Sequence, residues 1–375
     1  MIEPEEFREH CAAKLLTLVG EASHLRAFVG LDGFVDEIVH AVDKREDAQN
    51  FERLGTISAL SKRISAAAGK STNIELVNQR MKLGGNGPIM ANALASLGVK
   101  VTYVGALGYP TLHPVFNDFA QHAEVHSIAE AGHTDAVEFD DGKIMLVKSS
   151  QLNEITWHNL QARFGRDRFI EVYSTADLVA FVNWTMIPCM SEIWAALLEE
   201  FCPVSKAVRR KIFFDLADPE KRTAKDILRA LELIGRFEKH FDVILGLNEK
   251  EAHEIGHVLG LSTKNRSRDG LCALALEIEQ NSSVSTLVIH PVAYALAVSQ
   301  GAVSLLEGPY VEKPLITTGA GDHFNSGFCL GKLLGFDNAA SVLLGVTASG
   351  FYVRSAHSPS IDDLAQMLRH WPGEE

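Results

Sequence analysis

Short apolar runs rich in β-branched and aromatic residues recur along this chain, each followed by a stretch with helical periodicity: Ala27–Leu31, Val101–Val104, Leu178–Val182, Lys211–Asp215, Asp242–Leu245 and Thr286–Ile289. Parallel strands need crossovers long enough to hold a helix, so this alternation predicts a three-layer α/β fold, a mainly parallel sheet with helices on both faces. Such sheets bind ligands at the carboxyl ends of their strands. Polar residues follow several of the runs: Asp32 and Asp36, Asp215 and Asp218, Asn248 and Glu251, and His290. One segment breaks the alternation. Ala136–Val147 has two strand-like arms around Asp141-Gly142, a dipeptide that readily takes the positive φ angles of a tight hairpin turn, and it reads as a β flap outside the main sheet. No repeat, low-complexity tract or Pro/Ser-rich linker interrupts the chain, so residues 1–375 read as a single domain, with a small β lid contributed in part by about 123–150.

Charge and cysteine usage exclude several classes of partner. A formal net charge of −13 argues against nucleic acid or an anionic membrane surface. The five cysteines, Cys11, Cys189, Cys202, Cys272 and Cys329, form no C-x-x-C pair and fit thiols in a reducing compartment. The acidic start has no apolar core of signal-peptide length, and no apolar run approaches the roughly 18 residues needed to span a bilayer. The expectation is a cytoplasmic protein acting on a small molecule, with a homodimer left open.

The sharpest motif is Thr317-Thr-Gly-Ala-Gly-Asp-His-Phe-Asn-Ser-Gly-Phe328, which runs into an apolar helix. Gly319, Ala320 and Gly321 lack bulky side chains, so backbone N–H groups can converge at a helix start whose dipole favours an anion. A phosphate fits there, beside Thr318, and Asp322 would then accept a proton from an attacking hydroxyl. At a helix N-terminus that carboxylate is expected to be charged at neutral pH and weakly basic. The alternative for this motif alone is a glycine turn followed by an Asp-capped helix. Asn248 and Glu251, three residues apart at the end of another apolar run, can support a magnesium ion through its waters, or can be an ordinary Asn cap followed by Glu. Leu83-Gly-Gly-Asn-Gly87 is a Gly-rich turn opening a helix, where Gly84 and Gly85 allow close approach of a polar ligand. Gly30-Leu-Asp-Gly-Phe-Val-Asp36 places carboxylates at the end of the first strand, suited to accept hydrogen bonds from substrate hydroxyls.

In this order the four elements resemble the ribokinase-like, or PfkB, carbohydrate and nucleoside kinases, from about Ala27 to about Ser349. The resemblance implies an ATP-dependent, magnesium-dependent kinase acting on a hydroxyl of a small sugar or nucleoside. It makes Asp322 the catalytic base and Gly319, Ala320 and Gly321 the anion hole. Asn248 and Glu251 become magnesium supports, Asp36, Asp32, Gly84, Gly85 and Asn86 substrate ligands, and Thr318, Asn248 and His290 nucleotide contacts. The hairpin around Gly142 becomes part of a lid over the sugar. Four positions depart from the pattern. Ile89 stands where the family often has a substrate-binding Asn, leaving Asn86 or Asn92 as substitutes; Ile316 replaces an Asp that serves a monovalent cation in some members; His290 and Pro291 replace a Thr and a Gly near the nucleotide. These departures motivate a second reading, a kinase-like fold that binds sugar or nucleotide without turning it over.

A competing motif is His253-Glu-Ile-Gly-His-Val-Leu-Gly260, which matches the zinc helix of metalloproteases, with two His at i, i+4 and a Glu to activate water. Thr263 occupies the place of a third His ligand, and no Met lies between Met190 and Met367 to make the turn that accompanies such sites. The expectation is that this helix, which starts at Asn248, carries no zinc.

Overall fold

The computed structural model describes residues 3–201 and 209–373. Its strands are β1 (Arg26–Leu31), β2 (Phe34–Arg45), β3 (Phe51–Arg53), β4 (Leu76–Gly84), β5 (Lys100–Ala106), β6 (Glu124–Ala129) and β7 (Gly132–Phe139), followed by β8 (Gly142–Lys148), β9 (Leu178–Phe181), β10 (Arg210–Asp215), β11 (Phe241–Leu247), β12 (Thr286–Ile289), β13 (Tyr294–Ser299) and β14 (Ala302–Glu307). The large sheet has nine strands in the order β14-β13-β12-β11-β10-β9-β1-β5-β6. Every pairing from β12 to β6 is parallel, and β13 and β14 add an antiparallel edge.

The central strands are largely apolar because helices cover both faces: Leu178–Phe181 and Thr286–Ile289 are buried at every position. Alternate residues feed two separate cores. Phe28, Phe181 and Phe214 face one helix layer with Trp194 and Phe237, whereas Val29, Ala180 and Phe213 face the other with Phe324, Phe328 and Leu344. Four helices bear on the site: α1 (Asn86–Ser96), α2 (Glu249–Val258), α3 (Ala320–Leu333) and α4 (Asn338–Ser355).

The small sheet is larger than the expected flap. The Ala136–Val147 hairpin is there, as β7 and β8, but β2 pairs parallel to β7 and antiparallel to β3 and β4, making five strands. Of the stretch 123–150, β6 belongs to the large sheet; most of the small sheet comes instead from residues 34–84. Asp36 is accordingly on β2 in the small sheet, not at the end of the first strand.

Cys11 and Cys329 are buried and Cys189 and Cys272 half-buried, all as free thiols, while Cys202 lies outside the described residues. No helix among the described residues is long and apolar enough to cross a membrane.

Candidate active site

The chain crosses the carboxyl edge of the large sheet repeatedly, and at each crossing it leaves a polar side chain: Asp32 after β1, Asn183 after β9, Asp215 ending β10, Asn248 after β11 and His290 after β12. The small sheet arches over this edge. Between them lies a cavity of about 580 Å³ walled by Asp36, Asn86, Asp215, Glu251 and Asp322. Its turn-forming wall is Thr318, Gly319 and Gly321. Thr134 of β7 and Met145 and Val147 of β8 line the cavity on the small-sheet side.

Asp322 is the third residue of α3 and only 5% exposed. Asn86, which opens α1, donates from Nδ2 to Asp322 Oδ1 at 3.0 Å. The expectation of a readily ionised carboxylate is overturned here: burial, then the charge of Asp215, pushes the Asp322 carboxyl well above the usual range, against the pull of Asn86. Asp215 is pushed up in the same direction by burial and by Glu251. A carboxyl raised this way is a stronger proton acceptor once ionised.

The turn expected to bind an anion is narrower than the sequence suggested. Gly319 precedes α3 with φ +95°, a left-handed conformation that favours glycine. Ala320 N–H donates to Thr317 O at 3.1 Å and is spent, and Ala320 faces a neighbouring cavity. Gly319 and Gly321 line the main cavity, and their N–H groups have no backbone acceptor outside the helix among the described residues.

Asn248 and Glu251 make both of the contacts open to them as a cap. Asn248 Oδ1 accepts from Glu251 N–H at 2.9 Å, and Glu251 Oε2 accepts from Asn248 N–H at 2.8 Å. Glu251 Oε1 also accepts from Asp218 N–H at 2.9 Å. Each carboxylate oxygen keeps a further lone pair, and both residues line the cavity, so the helix cap and the cation support are compatible.

Asp36 lies 4% exposed, beside Thr134 in the register of β2 and β7. Burial pushes its carboxyl up, opposed first by Lys82. Gly84 does not line the cavity; it makes room, since a methyl there would lie 2.4 Å from the Asp36 carboxyl carbon. Gly85 and Asn86 do line it.

Asp32 is the clearest correction. It is 0% exposed, absent from the cavity wall and used internally: Gly87 N–H donates to Oδ1 at 2.8 Å, and Asn183 Nδ2 donates to Oδ2 at 2.7 Å. It holds the glycine turn that presents Asn86, one layer behind any substrate. Asn92, a proposed substitute for the residue at Ile89, points away and donates to Ser358 Oγ at 3.3 Å. Ile89 itself packs against Gly319.

Sequence reasoning missed Asn183. It has φ +59°, is buried at the cavity wall, and its Oδ1 has no hydrogen-bond partner among the described residues. The available signal was its place directly after the buried run Leu178–Val182.

His290 joins two cavities, the second one apolar, about 330 Å³, and lined by Pro291, Val292, Tyr310, Val346 and Val353. Burial pulls its imidazole down to about 4, and its ring lies 4.9 Å from that of Phe324, so it is neutral at working pH. Of the protease motif, His253 is buried and His257 exposed, and among the described residues neither belongs to a three-ligand cluster able to hold a metal; the same helix supplies Glu251 to the cavity.

Comparison with known proteins agrees with this geometry. The family described as prokaryotic ketohexokinase matches residues 5–371. A ketohexokinase from Haloferax volcanii is 28% identical over 341 residues, covering 90% of this chain and 89% of that protein. Among solved structures, a ribokinase from Arabidopsis thaliana complexed with ribose and ATP superposes with a TM-score of 0.64 at 15% identity, covering 92% of this chain and 98% of that one. A carbohydrate kinase from Agrobacterium tumefaciens gives a TM-score of 0.62 at 19% identity, covering 92% and 97%.

Proposed function

Because this chain belongs to the prokaryotic ketohexokinase family and is an ATP-dependent carbohydrate kinase, we propose that it transfers the γ-phosphate of ATP to a hydroxyl of a ketohexose, with Asp322 as proton acceptor. The carrying observation is the meeting of Asn86 and Asp322, 236 positions apart in sequence, at a cavity wall where the Gly319 and Gly321 N–H groups have no backbone acceptor outside the helix among the described residues.

Phosphoryl transfer passes through a loose transition state, so it asks mainly for in-line positioning and neutralisation of charge on the moving group. The sugar is held between the lid and the sheet edge, with Asp36, Asn86 and the unpartnered Oδ1 of Asn183 as acceptors and donors for its hydroxyls. Asp322 orients the attacking hydroxyl and takes its proton late. The amides of Gly319 and Gly321 hold the charge of the transferring group. The apolar second cavity suits the nucleotide base, with His290 as a neutral contact where the two cavities meet.

Magnesium fits the donor set. Asp215, Glu251 and Asp322 are hard oxygen donors, and burial first, then the charge of neighbouring carboxylates, raises all three carboxyls, a cost that a divalent cation relieves. Asn248 and Glu251 would support it through water, and its charge would neutralise the phosphates.

A coupled ADP-release assay over ketohexoses, aldohexoses and nucleosides tests the reading, with mass analysis of the product. A ketohexose should give the highest kcat/KM. Faster turnover of a nucleoside or an aldohexose would overturn the substrate assignment.

A further inference from the structure

We propose that Tyr352 and His323 are positioning residues that aim the Gly319 N–H at the transferring phosphoryl group. The proposal rests on the reading of Gly319 and Gly321 as the anion-binding turn. Neither Tyr352 nor His323 lines the main cavity.

Tyr352 lies on α4, and its hydroxyl donates to Thr318 O at 3.0 Å. The Thr318 carbonyl and the Gly319 N–H belong to one planar peptide unit, and in a trans peptide the two groups point in opposite directions. Holding the carbonyl on the α4 side therefore turns the N–H toward the opposite side, where Gly319 lines the cavity. The next peptide unit is held at both ends. His323 Nδ1 lies 2.7 Å from Gly319 O, and Ala320 N–H reaches Thr317 O at 3.1 Å.

The two side chains also fix each other. Their rings stack with centroids 3.6 Å apart and planes 12° apart. A carbonyl only accepts, so Nδ1 of His323 carries the hydrogen, and Nε2 accepts from Ser358 Oγ at 2.9 Å. Ser358 Oγ in turn accepts from Asn92 Nδ2, and Ser358 O accepts from Ser96 Oγ at 3.2 Å. Asn92 and Ser96 are on α1, the helix whose first residue touches Asp322. One hydrogen-bonded chain thus ties the turn to the helix that positions the proton acceptor.

Tyr352→Phe keeps the ring stack and removes only the donor to Thr318 O. With the best sugar from the screen, kcat should fall on the order of tenfold, short of the roughly 10²–10³-fold cost of deleting an oxyanion donor outright, with both KM values unchanged. ADP with aluminium fluoride and sugar, which mimics the transferring group, should bind more weakly by a similar factor, while ADP alone binds as in the parent. His323→Asn, which keeps a donor near the position of Nδ1, should retain more activity than His323→Leu at equal thermal stability. Parent-like kcat and parent-like affinity for the fluoride complex in Tyr352→Phe would overturn the proposal, as would a loss confined to stability or ADP affinity. If aluminium fluoride adds no affinity even in the parent, the anion-binding reading of Gly319 and Gly321 fails, and the proposal with it.

Discussion

Replacing Asp32 with asparagine removes a buried charge while keeping its shape, and the structure gives the size of the effect. Burial raises this carboxyl from an ordinary 3.8 to about 6, against hydrogen bonds led by Asn183. Ionising it in the folded chain therefore costs about 3 kcal/mol more than in the unfolded chain. The sign follows from linkage. Below about pH 3.8 the group is protonated in both states and folding pays nothing; the cost grows as pH rises and is complete above about pH 6. An asparagine stays neutral, so the variant should gain about 3 kcal/mol at pH 7.5 and roughly half of that at pH 5. Hydrogen bonding permits the exchange. The new amide keeps an oxygen for Gly87 N–H, and a flip of the Asn183 amide offers its unpartnered Oδ1 to the new NH₂. Urea unfolding of parent and variant at the two pH values measures the difference, which should widen by about 1 kcal/mol from pH 5 to pH 7.5. An equal difference at both pH values, or a variant less stable at pH 7.5, would refute the reasoning.

Glu251→Gln puts an NH₂ against one of two backbone N–H donors and removes charge from the cavity, so the magnesium concentration for half-maximal rate should rise several-fold; an unchanged titration removes Glu251 from the cation site. Gly84→Ala places a methyl 2.4 Å from the Asp36 carboxyl carbon, so sugar KM should rise about tenfold with ATP KM unchanged, and a parent-like sugar KM would count against Asp36 as a sugar ligand. The Ile316 side chain offers no oxygen to a monovalent cation, so potassium should activate little over a matched bulky cation, and a several-fold activation would contradict this.

The six strands of the large sheet from β12 to β5 were legible because they are largely buried and read as apolar runs, whereas β6, β13 and β14 toward its two edges were not read. The small sheet was not, since the mostly buried β2 mixes Asp36, Glu37 and His40 with its apolar residues, the largely exposed β4 reads Asn-Gln-Arg-Met-Lys, and β2 pairs with β4 and β7 across long stretches of sequence. The G-A-G-D turn and N-x-x-E were legible as local patterns that hold wherever they fold. What they could not carry was solvation. A helix N-terminus lowers the pKa of an exposed Asp, but Asp322 shares a buried space with Asp215, which β10 delivers from more than a hundred positions away. The same gap hid the roles of Asp32 and Asn183: whether a polar residue at a strand end faces a cavity or sits beneath it depends on neighbours that the chain adds later.

Turnover by Asp322→Asn tests the central claim most directly. The variant keeps an oxygen for Asn86 Nδ2 and removes a buried carboxyl whose ionisation is disfavoured, so it should fold and bind ADP like the parent. With the sugar that the parent phosphorylates best, kcat should fall by roughly 10²-fold or more, the scale of losing a general base. Turnover within a few-fold of the parent would contradict the assignment of Asp322 as proton acceptor.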